Sequence, residues 1–273
     1  MHRLGLGFLM ILVTGSGLVS IARAKAPAGA TSAPDLLRAR IVDLTHTFDA
    51  TTPYWPTATR GFELTTVHEG KTDEGYFYSA FSFCAPEHGG THLDAPFHFA
   101  EGGRAMDTVP VRQLMAPAVV IDVTGQAAKD ADYRLTVADV QGFETRQGRI
   151  APGTIVLLRT GWSARWPDKK RYLGDDKPGD ASGLHFPAYG REATELLVRE
   201  RKVGVLGVDS ASVDHGPSRD FIVHQVGAAA NVPNLENLAS LEALPATGAW
   251  VIALPMKIGG GSGGPVRAIA LVP

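Results

Sequence analysis

The sequence predicts a single mixed α/β domain, in which a mixed sheet is combined with helices. Short apolar runs rich in β-branched and aromatic residues recur along the chain, as they do in strands. Helical stretches alternate with these runs, which is typical of α/β folds. No repeat with a period of about 20 to 50 residues is visible, and this argues against a solenoid or a propeller.

Seven apolar runs are predicted to be strands because they have the length and composition of strands. Several are continuously apolar, which indicates burial on both faces of a sheet. A helix predicted at residues 188–200 leads directly into one of these strands, as in the helix-to-strand units of α/β folds. The predicted strands are residues 41–48, 78–84, 119–123, 155–159, 203–208, 250–254 and 266–272.

A second helix is predicted to begin after Ser218, whose hydroxyl can accept hydrogen bonds from the free amides of a first turn. Asp220 suits the positive end of the same helix. The helix would carry His224 and Gln225. It would end near Asn231, because asparagine tolerates the left-handed conformation that closes many helices.

The first residues have the composition of a secretory signal, with a basic start, an apolar stretch and the small-residue cleavage site Ala22-Arg23-Ala24. We predict a signal peptide at residues 1–24, a flexible tether at residues 25–36 and one domain at residues 37–273. The mature protein is expected to be exported, periplasmic or secreted, and free of the membrane after cleavage. The alternative is an uncleaved membrane anchor, since the apolar stretch is nearly long enough to span a bilayer.

The charge balance argues against nucleic-acid and membrane-surface partners. Lysine and arginine number 26 against 28 acidic residues, and no long run of one sign occurs. A small-molecule partner is therefore expected. Cys84 is the only cysteine, so no internal disulfide can form. We interpret it as a small buried hydrophobe, with a thiolate ligand to a metal as the alternative.

Four candidate ligand or base residues, His88, His92, Asp94 and His98, fall within eleven positions. All four are at even positions, so an extended backbone points them to one side, whereas a helix would separate them. Neutral imidazoles with a carboxylate suit zinc, manganese or ferrous iron. The alternative is that the histidines are structural and hydrogen-bond to backbone carbonyls or to Asp94, but burying so many polar groups together is costly unless something pairs them.

The segment from His88 to His98 has the pattern His-x-Gly-Thr-His-x-Asp-x-Pro-x-His, which resembles the signature of the putative cyclase family of bacterial kynurenine formamidases and isatin hydrolases. Further similarity covers most of the mature chain, at residues 43–46, 53–56, 204–210 with Asp214, and 235–237. The resemblance implies the swivelling β/β/α architecture of that family and assembly as a homodimer.

The resemblance also implies roles for individual residues. His88, His92 and Asp94 would bind the catalytic metal, zinc or manganese, and His98 would act as general acid and base. Trp55 would lie against the substrate, although core packing is an alternative for a tryptophan.

Two branches of the family imply different completions of the metal site. The formamidase branch implies a second ion, shared by Asp94 and held by a histidine and a glutamate twelve residues apart, which matches His224 and Glu236. The isatin hydrolase branch implies a single ion, with Gln225 completing the site. The sequence therefore leaves one or two ions open. For Glu236 the alternative is a surface carboxylate, and for Gln225 it is a polar helix residue.

The function implied is metal-dependent hydrolysis of a C–N amide bond in a small aryl formamide or cyclic amide. A metal-dependent cyclase or dehydratase is an alternative, and a non-catalytic periplasmic metal or ligand binder is another. The glycine-rich residues 259–264 are predicted to form a turn between two strands, or alternatively a backbone wall of the active site.

Overall fold

The computed structural model describes residues 34–35 and 38–273. The predicted signal peptide and all but two residues of the predicted tether lie outside the described residues. The α-helices in the described part are α1 (Thr124–Ala127), α2 (Val137–Gln147), α3 (Lys169–Leu173), α4 (Arg191–Glu195) and α5 (Ile222–Ala229). The strands there are β1 (Arg40–Asp43), β2 (Glu63–Lys71), β3 (Phe77–Cys84), β4 (His92–Asp94), β5 (Met115–Asp122), β6 (Arg134–Leu135), β7 (Ile155–Arg159), β8 (Ala188–Tyr189), β9 (Val205–Val208), β10 (Asn234–Glu236), β11 (Thr247–Pro255) and β12 (Gly263–Val272).

One mixed sheet organises the domain, and it closes on itself. Its strand order is β1-β12-β11-β5-β7-β9-β10-β4, and β4 pairs again with the first residues of β12. The neighbours from β5 through β7 and β9 to β10 are parallel, and the other pairs are antiparallel. The prediction of a single mixed α/β domain is confirmed, with the sheet curled into a barrel.

The sheet separates two apolar layers. Ile155 and Leu157 of β7 belong to a cluster with members from every strand of the closed sheet, so this cluster fills the barrel. Val156 and Leu158 face the opposite way and pack with residues of α2 and α4. Both faces of the central parallel strands are therefore buried, which explains why their sequences are continuously apolar.

The helix predicted at residues 188–200 begins later and ends differently. Residues Ala188–Tyr189 pair with β6 as strand β8, so α4 starts at Arg191 and continues as a π-helical turn, Leu196–Glu200. The predicted strand at residues 41–48 ends at Asp43 for a similar reason, since its partner β12 pairs only with Arg40–Asp43.

Strands β2 and β3 form a separate two-stranded ribbon, and β2 was not predicted. The interpretation of Cys84 as a buried hydrophobe is wrong, because Cys84 ends β3 in an exposed position and its sulfur lies 3.0 Å from Nη1 of Arg60. The ribbon stands away from the apolar layers, so its residues remain open to solvent. Within the described residues, none of the helices has the length and apolar content that a membrane span requires.

Candidate metal centre

Strand β4 delivers two of the candidate ligands. His92 and Asp94 are two residues apart on this strand, so both side chains project from the same face. β4 is buried between β10 and β12, and this fixes the direction of both side chains. The chain enters β4 through Gly90, which has a left-handed φ of 60° and leaves no room for a side chain because the ring of Phe48 lies against it.

Asp94 is the centre of the cluster. Its Oδ1 lies 2.7 Å from Nδ1 of His88 and 3.1 Å from Nε2 of His92. Its Oδ2 lies 3.2 Å from Nε2 of His224, which is carried by α5. Glu236 of β10 closes the other side, with Oε1 3.3 Å from Nε2 of His224 and Oε2 3.5 Å from Nε2 of His92. The structure thus brings together five of the residues named from the sequence.

Outer hydrogen bonds determine which imidazole nitrogen faces this cluster. Nδ1 of His92 lies 3.0 Å from the carbonyl oxygen of Gly90, and Nδ1 of His224 lies 2.7 Å from Oδ2 of Asp214. A carbonyl and a carboxylate can only accept, so each Nδ1 carries a proton and each Nε2 is the nitrogen that can bind a cation or a second proton inside the cluster. Such an outer partner is the usual companion of a histidine that binds a metal.

The donor atoms fit a divalent cation. Nε2 of His92 is fully buried and has no hydrogen-bond partner in the described structure, which is costly for a polar atom unless a cation or a proton is present. The separations of 3.1 to 3.5 Å between the facing atoms are close to the spacing of about 3.3 Å between ligands around a tetrahedral ion with bonds of about 2.0 Å. The residues present therefore match the chemistry of a metal centre.

The electrostatics of the cluster lead to the same conclusion. Burial alone would lower the pKa of His92, but the charges of Asp94 and Glu236 outweigh it and raise this pKa to about 9. The same carboxylates and Asp214 hold the pKa of His224 well above its usual value, although burial opposes this. The pKa of Asp94 lies well below its usual value, since the surrounding imidazoles overcome the effect of burial. Two buried carboxylates thus demand positive charge, either as protons or as a cation.

His98 lies beside the cluster at the end of a 3-10 turn, Pro96–His98. Its ring stacks on that of His88, with the centroids 3.7 Å apart and the planes 16° from parallel. Burial lowers the pKa of His98 to about 4, against the attraction of Asp94. The ring is therefore neutral at pH 7. A nitrogen of His98 also comes within 4.8 Å of ligand atoms of His88 and Asp94.

A cavity of about 290 Å³ opens above the cluster. Its walls are largely aromatic, and its polar lining includes Ser212 and Asn237. Trp55 lies in the wall, 6.1 Å from the ring of Phe221 and 6.2 Å from that of Phe186 by centroid distance. Trp55 therefore both lines the cavity and packs against the core. The aromatic residues of the lining are Tyr54, Trp55, Phe99 and Phe221.

Helix α5 brings His224 to the cluster through Asp214. The carboxylate of Asp214 accepts hydrogen bonds from the backbone amides of Val223 and His224 at 3.0 and 3.1 Å, in addition to the imidazole of His224. The predicted contributions of Ser218 and Asp220 to the start of the helix are observed as weaker hydrogen bonds of 3.2 and 3.3 Å. Asp214 was noted in the sequence as part of the family resemblance, but its role as the partner of His224 was not predicted.

Gln225 lies outside the cluster, contrary to the expectation that it could be a ligand. One residue along an α-helix turns the side chain by about 100°, so Gln225 points away when His224 points in. Its side chain is exposed, and its amide nitrogen donates to the carbonyl oxygen of Asp220 at 2.5 Å. Between the two alternatives for completing the site, the structure places Glu236 with His224 and leaves Gln225 in solvent.

The glycine-rich residues 259–264 connect β11 to β12, as predicted, and they also reach the cluster. The hydroxyl oxygen of Ser262 lies 2.9 Å from Nε2 of His88 and 2.6 Å from Oε2 of Glu87. The predicted turn is confirmed, whereas the residues that line the cavity include none of this segment, which reaches the cluster through the side chain of Ser262. The contribution of Glu87 was not predicted, although it directly precedes His88 in the sequence.

The chain is similar to proteins of known activity and known structure. The family model described as putative cyclase matches residues 42–215. The isatin hydrolase of Roseibium aggregatum is 36% identical over 219 residues, which cover 77% of this chain and 81% of that protein. The kynurenine formamidase of Salinibacter ruber is 27% identical and covers 84% of this chain and 96% of its own length. A crystal structure of an isatin hydrolase bound to the product analogue thioisatinate matches with a TM-score of 0.78 and 32% identity, over 86% of this chain and 93% of that one.

Proposed function

The chain belongs to the putative cyclase family, and we propose that it hydrolyses the ring C–N bond of a small cyclic aryl amide of the indole-dione type. It is a metal-dependent amide hydrolase, as its relatives and its cluster of ligand residues indicate. The observation that carries the proposal is the set of inward-facing imidazole Nε2 atoms around two carboxylates at the floor of an aromatic cavity.

We propose zinc or manganese as the metal, with His88, His92 and Asp94 as its ligands. A divalent ion held by these residues would supply Lewis-acid chemistry, which would lower the pKa of water from 15.7 towards about 7 and polarise the carbonyl under attack. The two oxygens of Asp94 face different imidazoles, and His224 and Glu236 lie on the Oδ2 side. This arrangement favours a second ion, which His224 and Glu236 would hold together with Asp94. Metal analysis of the purified protein should then find about two ions per chain, and a single ion would contradict this part of the proposal.

We assign the proton transfers to His98. Burial lowers the pKa of His98, so its imidazole is neutral at pH 7 and has a ring nitrogen free to take a proton from water. It takes a proton from the attacking water while the new C–O bond forms at the carbonyl carbon. It then donates that proton to the nitrogen as the C–N bond breaks. The ring opens to one product, which carries a carboxylic acid and an amine and contains all the atoms of substrate and water; the acid then loses its proton to solvent.

The cavity selects a small flat substrate. Its volume of about 290 Å³ is at the lower end of the range for ligand pockets, about 300 to 1,000 Å³. Trp55, Phe99 and Phe221 present rings that can stack on an aromatic substrate while its carbonyl approaches the cluster.

A second candidate substrate is an open-chain aryl formamide. The chain is similar to kynurenine formamidases over most of its length, and His224 and Glu236 lie at the positions that the formamidase branch implies for metal ligands. The same metal site and the same base would serve both reactions, so the shape of the substrate decides between them.

The experiment is a panel of substrates offered to metal-replete protein, with products identified by mass spectrometry. Isatin should give a single product heavier by about 18 Da, whereas formanilide would give formate and an arylamine. A loss of about 18 Da would indicate a dehydratase or cyclase. The His98→Gln variant should lose about 10²- to 10⁴-fold in kcat, and the His185→Gln variant, altered at an exposed histidine, should retain activity. No turnover on any amide in metal-replete protein would refute the proposal and favour a metal or ligand binder.

We also propose that the protein is a homodimer formed through the β2–β3 ribbon. Leu64, Phe77, Phe81 and Phe83 share one face of the ribbon and are 46 to 66% exposed. A two-stranded ribbon gains little stability unless another surface packs against it, and a second copy offers the same apolar face in a symmetric contact.

Light scattering on wild type and the Phe81→Ser variant tests the dimer proposal. The variant should be monomeric, whereas the matched Tyr78→Ser variant on the opposite face should remain dimeric. A monomeric wild type would refute the proposal.

A further inference from the structure

A hydrogen-bonded relay of three side chains, Glu87, Ser262 and His88, leads from the surface to the proposed metal position. Oε2 of Glu87 lies 2.6 Å from the hydroxyl oxygen of Ser262, and that oxygen lies 2.9 Å from Nε2 of His88. Nδ1 on the other side of the same ring lies 2.7 Å from Oδ1 of Asp94. The backbone amide of Ser262 also donates to Oε2 of Glu87 at 3.0 Å, so the serine is held at both its amide and its hydroxyl.

The direction of each hydrogen bond follows from the chemistry of its ends. An ionised carboxylate only accepts, so the short contact between Glu87 and Ser262 requires the serine hydroxyl to donate. A hydroxyl has one proton, and the oxygen of Ser262 can then only accept from His88. Nε2 of His88 must therefore carry a proton. Nδ1, 2.7 Å from Asp94, is then the nitrogen at which a cation can take the place of a shared proton.

We propose that Glu87 and Ser262 are positioning residues that set the tautomer of His88 and so present its Nδ1 to the metal. This inference rests on the proposed function, since it assumes that His88 is a ligand. Ligand histidines usually donate their second N–H to an outer acceptor, and loss of that acceptor typically lowers metal affinity 10- to 100-fold.

The surrounding backbone holds this relay in place. The carbonyl oxygens of Gly261 and Ser262 accept from the amides of Met106 and Ala95, each at 2.8 Å. A Cβ at Gly263 would lie 2.5 Å from Cε1 of His88, so only glycine allows β12 to begin against the ring. The segment therefore supplies both the acceptor for Nε2 and the close backbone wall that keeps the ring from turning.

The outer hydrogen-bond partner of His88 differs from those of the other two inward-facing histidines. His92 donates to a backbone carbonyl, and the partner of His224 is the buried Asp214, which also caps α5. The partner of His88 is a partly exposed hydroxyl, which a single conservative substitution can remove without breaking a helix or a strand. His88 is therefore the histidine at which the effect of an outer partner can be measured separately.

The first test measures metal affinity by competition with a chromogenic chelator, for zinc and for manganese. We expect Ser262→Ala and Glu87→Gln each to lower the affinity about 10- to 100-fold. Ser262→Thr keeps the hydroxyl and should remain within a few-fold of wild type. Glu242→Gln, a matched loss of one carboxylate at an exposed position, should bind like wild type. Thermal unfolding in the presence of chelator shows whether each variant is folded.

The second test observes the His88 ring directly in zinc-loaded protein labelled with ¹⁵N at histidine. The nitrogen shifts should show a protonated Nε2 and a metal-bound Nδ1 in the wild type. In Ser262→Ala the Nε2 proton loses its acceptor and should exchange with water faster. A general loss of structure would alter all the histidine signals, whereas the relay predicts a change confined to His88.

The outcomes separate the relay from the function on which it rests. If the wild type binds metal and Ser262→Ala binds it equally well, the relay is refuted and the proposed function stands. The relay is also refuted if Ser262→Thr is as weak as Ser262→Ala, or if the wild-type ring carries its proton on Nδ1. If the wild type binds no metal, the proposed function fails and this inference fails with it.

Discussion

In the metal-free protein, the free energy of unfolding should fall as the pH is raised from about 6 to about 9.5. His92 is only 2% exposed, and its folded pKa of about 9 lies above its ordinary value of 6.5. A raised pKa means that the folded state binds a proton more tightly than the unfolded state does. The resulting stabilisation is fully present below about pH 6.5, decreases above it and is lost once the pH passes about 9.

The size of the effect follows from the difference between the two pKa values. A rise from 6.5 to about 9 corresponds to about 3 kcal/mol, at about 1.4 kcal/mol for each pKa unit. His224 contributes in the same direction, since its pKa is also raised. A cation bound at the same nitrogens would compete with protons, so metal-dependent stabilisation should instead grow with pH.

Urea unfolding at about pH 6, 7.5 and 9.5, with chelator and with saturating metal, measures the effect. The metal-free protein should lose about 3 kcal/mol across this range. The loss should be smaller in His92→Gln and unchanged in His185→Gln, where the histidine is exposed. A metal-free stability that does not depend on pH, or that falls equally with metal bound, would refute the reasoning.

Four further predictions follow from the structure and the sequence. His98→Gln should lower kcat by about 10²- to 10⁴-fold while metal content stays as in wild type, and metal loss equal to that of His92→Gln would contradict the separate roles. Trp55→Ala should raise KM by up to about tenfold with a smaller effect on kcat, since one stacking ring is lost. Glu144→Gln should destabilise the protein by about 3 kcal/mol at pH 7, because the buried Arg201 then keeps only the exposed Glu200 as a charged partner. Burial would raise the pKa of Glu144, but Arg201 holds it below 4.5, so the difference from wild type should shrink as the pH falls through that range. Exported protein should begin at Lys25, as N-terminal sequencing of the periplasmic or secreted fraction would show, and an intact start at Met1 would contradict this.

Most of the core could be predicted from local sequence patterns. The apolar runs at residues 155–159 and 203–208 are strands because a continuous apolar run suits a parallel strand that is covered on both faces. The ribbon strand β2 was missed, because its side chains are nearly all exposed and its sequence has no apolar pattern to detect. The burial of Cys84 was misjudged for the same reason, since it belongs to the ribbon and not to the core.

The residues of the candidate metal centre are likewise predictable from the sequence only in part. His88, His92, Asp94 and His98 could be identified because they are close together in the chain, where alternation along one strand brings side chains to one face. The sequence does not show which side chains are the outer partners of the histidines, here Asp214, Glu87 and Ser262. The contact between Ser262 and His88, for example, joins residues 174 positions apart. The choice between Gln225 and Glu236 depends on the rotation of α5 about its axis and on the pairing of β10 with β4. Local spacing therefore identifies the ligand types, whereas packing between distant segments decides which side chains meet and which nitrogen each histidine offers.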